Sequence, residues 1–428
     1  MIRFSSLPLF ATLIHRYCCF LGFLFSSYTL NAEVTFYMIF TNKSLFASLT
    51  PLTLFLVLIG CSSQQPNAVN SINPTKTATP SPIAAATQTP VTSSLPATAK
   101  PSPAATVTTL MVSHSKSDYM SFLDPASGRM EKLVVGTAPF AIVEGPNHRT
   151  YVSTAEGVAV IDTKLRTRIA LVPYQADVGK PRFGEYRSGG MGIAVSPDGK
   201  FVYVGVYLDG GKSQLEILDT EKLAMTGRFP VGVRPFDVVT SLDGREVYSI
   251  DHDGYTVTAV DPFTLKGRTL EAAPFGKGGF EKPHYAVVRA DGRLLLPYQG
   301  RGLVVLDPKS GSYTTEPLTG NTHQEGVTLT PDGKQLLIVG IGSAGSATGK
   351  PNLTILDANT YKEKIIPLAR MHQMVASSAD GRYAYLTGGV TYADTGWNGM
   401  TVVDLSAGTT REFELPDYPL DVQLLTNN

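Results

Sequence analysis

The chain has 428 residues, 43% of them hydrophobic, and its 36 Lys and Arg balance 36 Asp and Glu to a formal net charge of zero. That is enough chain for a large core, and with no basic or acidic excess no nucleic-acid partner is expected. All three cysteines, Cys18, Cys19 and Cys61, lie ahead of residue 108, so the rest of the chain has no route to disulfides, thiolate chemistry, cysteine-ligated metal or covalent c-type haem.

Residues 1–37 form an apolar stretch broken by Arg16. They are expected to be an upstream extension ahead of a true start at Met38. Lys43 then precedes the apolar run LFASLTPLTLFLVLI, which ends in Leu58-Ile59-Gly60-Cys61-Ser62. A positive region, a short apolar run and small residues at a cut site mark an export signal over 38–60; the run is short for a spanning helix. Its last residues resemble the lipobox of bacterial lipoproteins. The resemblance implies a lipid on Cys61 and an extracytoplasmic, membrane-anchored protein, in the periplasm or on the cell surface. Residues 61–107 are almost wholly Ser, Thr, Pro, Ala, Gln and Asn. Such a stretch buries too little apolar surface to offset ordering, so a disordered linker is expected there.

From 108 to 428 the sequence repeats. The unit is plainest over 232–270, where four strands are expected at Phe236–Thr240, Glu246–Ile250, Thr256–Val260 and Gly267–Leu270. Asp243-Gly244 supplies the positive φ of a tight hairpin. Apolar runs ending in Asp recur at Asp124, Asp162, Asp219, Asp261, Asp307, Asp357 and Asp404, with steps of 38, 57, 42, 46, 50 and 47 residues. Asp-Gly turns recur at Asp198, Asp243, Asp291, Asp332 and Asp380, with Asn147-His148 in the same place in an earlier unit. Seven copies of a four-stranded unit predict an all-β fold, a seven-bladed β-propeller. The first copy has sequence for only three strands, and Pro419–Leu425 is a strand without a blade. Together they predict closure of the ring by the C-terminal strand, innermost in a blade shared with the N-terminus. The repeated aspartates are read as turn formers, because each precedes residues whose backbone N–H groups an Asp carboxylate can accept.

Topology puts the second-to-third loops and the crossovers between blades on one face, and nearly every long insertion falls in that group. Seven positions before each first turn come Phe140, Met191, Phe236, His284, Glu325 and Gln373, with Leu420 as the seventh. With Asp237, Tyr285, His323 and His372 they are expected to ring the channel mouth on that face. Trp397, with Tyr392 and Phe280, is a candidate aromatic anchor for a partner or a sugar. Lacking Gly-x-Ser-x-Gly and His-Glu-x-x-His, the sequence implies no catalytic residue, metal or cofactor.

SPDGKFVYVGVY (Ser196–Tyr207), VGVRPFDVVTSLDG (Val231–Gly244) and TPDGKQLLIVG (Thr330–Gly340) resemble the YVTN family of β-propeller repeats, which implies the fold over about 110–425. Glu281-Lys282-Pro283-His284 ahead of Asp291-Gly292 is similar to a phrase of lactonase-type propellers. That resemblance implies an alternative, a hydrolase or small-ligand site in which His284 and Glu325 act as acid and base on a lactone ring. The leading expectation is a monomeric binding or scaffolding module that presents its long-loop face to an envelope protein or polysaccharide.

Overall fold

The computed structural model describes residues 108–278, 282–298, 302–320, 324–342, 350–389 and 396–426. The export signal, Cys61, the linker, Phe280, His323 and Tyr392 lie outside them. The reference repeat folds as Pro235–Thr240, Val247–Asp251, Thr256–Asp261 and Lys266–Glu271, paired antiparallel in that order. Its two middle strands, VYSID and TVTAVD, are β-branched and aromatic and largely buried on both sides, because neighbouring sheets cover both faces. The outer strand KGRTLE is mostly exposed.

The described residues form seven such sheets, a seven-bladed β-propeller. Blade 1 is built as Pro419–Leu424, Leu110–His114, Tyr119–Leu123 and Met130–Val134. The C-terminal strand pairs antiparallel with the first, Leu424 opposite Leu110 and Val422 opposite Val112, which ties the two ends together. Blades 2 to 7 begin at Ile142, Gly189, Pro235, Val287, Gln324 and Val375. The tight turns follow their composition: Gly199, Gly244, Gly292, Gly333 and Gly381 take φ of 71°, 69°, 83°, 68° and 67°, and in blade 2 Asn147 and His148 take 58° and 57° instead. All seven turn aspartates that follow the apolar runs accept a backbone N–H two or three residues on, as Asp124 does from Ala126 at 2.8 Å and Asp261 from Phe263 at 2.9 Å.

Around the axis, Phe140, Met191, Phe236, Tyr285, Val327, Tyr418 and Leu420 pack into one central cluster. Each fully buried side chain of this size contributes about 1.5–3 kcal/mol. Four inner strands shift register near their crossover ends, at 419–422, 190–193, 235–237 and 324–327. A bulge there breaks the alternation of side chains and re-aims residues at the channel mouth.

Candidate functional site at the channel mouth

Between blades 2 and 3 the chain crosses the long-loop face of the ring. Gly184 donates its N–H to the Ser115 carbonyl of blade 1 at 2.7 Å. Glu185 accepts from the Tyr418 hydroxyl at 3.0 Å, and the Tyr186 ring stands edge-on to Phe236 of blade 4 at 5.9 Å. Arg187 turns inward, 1% exposed, and donates to the carbonyls of Ala138 (2.5 Å), Gly190 (2.8 Å) and Ser188 (3.2 Å). One loop thus touches blades on opposite sides of the mouth while two of its aromatics stay in solvent, Phe183 at 59% and Tyr186 at 62% exposure.

Beside Glu185 lies the polar pair expected from the sequence. His284 Nδ1 is 2.7 Å from Glu325 Oε2, and the two residues are only 2% and 6% exposed. Phe236 packs against the His284 ring at 5.3 Å, and Tyr285 joins the central cluster. His252 stacks on His284 with centroids 4.3 Å apart. Its Nδ1 meets Asp253 Oδ1 at 2.9 Å, and Asp253 also takes Lys282 Nζ at 2.8 Å and lies 3.2 Å from Arg234 Nε. Burial, with the neighbouring His284, lowers His252 to about 3, so it is neutral at physiological pH. Burial, with the neighbouring Glu325, raises Glu185 to about 7, which leaves a proton-holding carboxyl beside an imidazole–carboxylate pair. Such a group can give or take a proton near neutrality. Among the described residues no three His, Cys, Asp or Glu side chains are grouped to hold a metal.

The other expected residues do not all join this cluster. Gln373 reaches its edge, donating to the Tyr418 hydroxyl at 3.3 Å. His372, one position earlier, faces into its own blade: its Nε2 meets Thr401 Oγ1 at 2.7 Å and its ring stands against Trp397 at 5.9 Å. Neighbours in an extended chain point to opposite sides, so the two cannot serve one site. Trp397 is half-buried, with Nε1 donating to the Met371 carbonyl at 3.1 Å. Asp237 is a joint between blades, accepting the N–H of Val238 at 2.8 Å and of Ala286 in the next blade at 3.0 Å. Asp421 repeats this, accepting from Val422 at 2.8 Å and from Ile142 in the next blade at 2.7 Å. The shared phrase Pro-x-Asp-Val, PFDV at 235–238 and PLDV at 419–422, is the sequence signal for this pair. Glu185, His252 and Tyr418 carried no such signal.

No protein-family model matches the chain, and no curated protein is detectably similar in sequence. Solved structures are similar in fold. The periplasmic gluconolactonase of Pseudomonas aeruginosa shares 15% identity and a TM-score of 0.53, over 74% of this chain and 99% of its own. A Bacteroides uniformis protein provisionally assigned as a 6-phosphogluconolactonase shares 15% and 0.54, over 74% and 100%. Hydrazine synthase of Kuenenia stuttgartiensis shares 17% and 0.50, over 72% and 92%. The likeness is one of fold. At such identities one ring of blades serves unrelated chemistries, so the site has to speak for itself.

Proposed function

We propose that the protein is an exported, lipid-anchored binding module whose long-loop face takes a protein or polysaccharide of the cell envelope. The observation that carries this is the loop across the mouth: its buried part is pinned to several blades, and it holds Phe183 and Tyr186 out in solvent. Large aromatics held rigidly in water are the residue type that anchors interfaces, because little side-chain entropy is lost when they are covered. The anchor rests on the signal and cysteine read at 38–61. A photo-reactive residue placed at 183 or 186 is expected to give discrete adducts in intact cells, and one at Phe263, exposed on the short-turn face, none. Equal adducts from both faces, or none from 183 and 186, would sink the reading.

A second reading is favoured by the 2.7 Å contact between His284 and Glu325 and by the gluconolactonases among the structural neighbours. Here the pair acts on a ring ester, with Glu325 orienting the imidazole and Glu185 close enough to share the proton traffic. Under this reading Glu325→Gln lowers the hydrolysis of glucono-δ-lactone by about 100-fold or more, the scale of a lost acid–base group. Turnover equal in wild type and variant, or no turnover above buffer in either, removes it. Burial of both residues beneath the loop is why binding is preferred.

A further inference from the structure

On the long-loop face, away from the channel mouth, Arg370, Trp397, Asn398, Glu414, Leu415 and Pro416 line a cavity of about 520 Å³. That is within the range of small-molecule pockets, about 300–1,000 Å³. Its floor is prepared. The Trp397 indole is fixed by its bond to the Met371 carbonyl at 3.1 Å and by the edge of His372 at 5.9 Å. Its six-membered ring lies against Gly399, where a Cβ would come within 2.1 Å of Cζ3, so only glycine leaves room for the ring. The Arg370 guanidinium sits 5.6 Å from the ring centre. Asn398 Oδ1 is buried and has no hydrogen-bond partner, an acceptor that protein groups leave unmet.

We infer that this pocket is a saccharide subsite, in which the Trp397 ring takes the C–H face of a pyranose and Arg370, Asn398 and Glu414 bind its hydroxyls. The chemistry of the lining selects that class. A flat, immobilised indole offers apolar contact with little entropy to lose. Around it stand a planar donor, a planar carboxylate acceptor and an unpaired amide oxygen. Only a ligand whose polar groups both donate and accept around an apolar ring face satisfies all of them. The inference deepens the proposed function and rests on its reading of this face as the binding face.

The protein reports on the pocket by itself, since Trp397 is its single tryptophan. Chitotetraose, cellotetraose and maltotetraose are titrated against the purified full-length protein while indole emission is followed. At least one is expected to shift the emission saturably, and Trp397→Ala, followed by calorimetry, to weaken its binding about tenfold or more. Glu414→Gln, at an exposed position, is expected to weaken it about threefold with an unchanged thermal midpoint, which separates a lost contact from a lost fold. No emission change with any of the three up to about 10 mM, or wild-type affinity in both variants, overturns the subsite. Adducts from 183 and 186 without saccharide binding would leave the partner-binding reading standing and remove only this pocket.

Discussion

Arg187→Ala is expected to cost about 3–5 kcal/mol of unfolding free energy, the scale for removing a buried charge together with the hydrogen bonds its two terminal nitrogens make; its Nε is buried without a partner. The guanidinium is fully enclosed and gives its protons to three carbonyls, those of Ala138, Ser188 and Gly190. Burial lowers it only to about 10, so it stays charged at pH 7 and the carbonyls see a cation. Alanine strands all three and opens a void. Lysine restores the charge but replaces a rigid fork by a point, so Arg187→Lys is expected to recover less than half of the loss. Urea unfolding gives the energies. Hydrogen exchange over 182–190 checks the functional side, because this residue fixes the loop from which Phe183 and Tyr186 project. If the variant stays within about 1 kcal/mol of wild type and the loop remains protected, then Glu185 and Tyr418 hold the crossing instead.

How far the sequence carried this follows from the kind of signal each part leaves. A turn needs its own residues locally, so Asp-Gly in five blades and the Asp that ends an apolar run in all seven announce the repeat, and blade count and closure were legible. The convergence of His284 and Glu325 was legible too, since both open inner strands at the same distance from a turn. His372 failed for a local reason: it stands one position before Gln373 in extended chain, and with Gln373 directed at the mouth its neighbour turns into the blade, onto Thr401. Glu185 was hidden for another reason. It stands in a loop rich in Lys, Arg and Glu that reads as a solvated rim, and only the docking of Gly184 on Ser115 shows that this rim folds inward. His252 sits in a short 3-10 turn between strands, His252–Gly254, outside the inner-strand register used to choose candidates.

Between pH 6.5 and 8 the protein is expected to lose about 1 kcal/mol of stability, opposite to the usual gain of a fold whose carboxylates are ion-paired. Burial raises Glu185, Asp237 and Asp421 each to about 7, against about 4 in the unfolded chain, and raises Asp251 to about 6. Over this window the folded state still holds protons that the unfolded state has released, so each step up in pH favours unfolding. Each of the three contributes roughly 0.8 kcal/mol, and the loss levels off once they are ionised. Three histidines oppose it: burial lowers His114 to about 4 and His252 and His372 to about 3, so the unfolded chain takes up protons the fold refuses, which takes back roughly 0.4 kcal/mol for each histidine between pH 6.5 and 8 and more below. The acid limb is therefore nearly flat and the loss shows only above it. Asp237→Asn removes one titrating group while keeping an oxygen for a backbone N–H, and is expected to cut the fall by more than half. Asp237→Ala leaves the N–H groups of Val238 and Ala286 without acceptors and is expected to cost about 2–4 kcal/mol at every pH. Urea unfolding of the three proteins at pH 6.5 and 8 decides it. A wild-type stability that is constant or rising over that interval would mean that these carboxyls are already ionised in the fold, with the paired backbone donors outweighing burial.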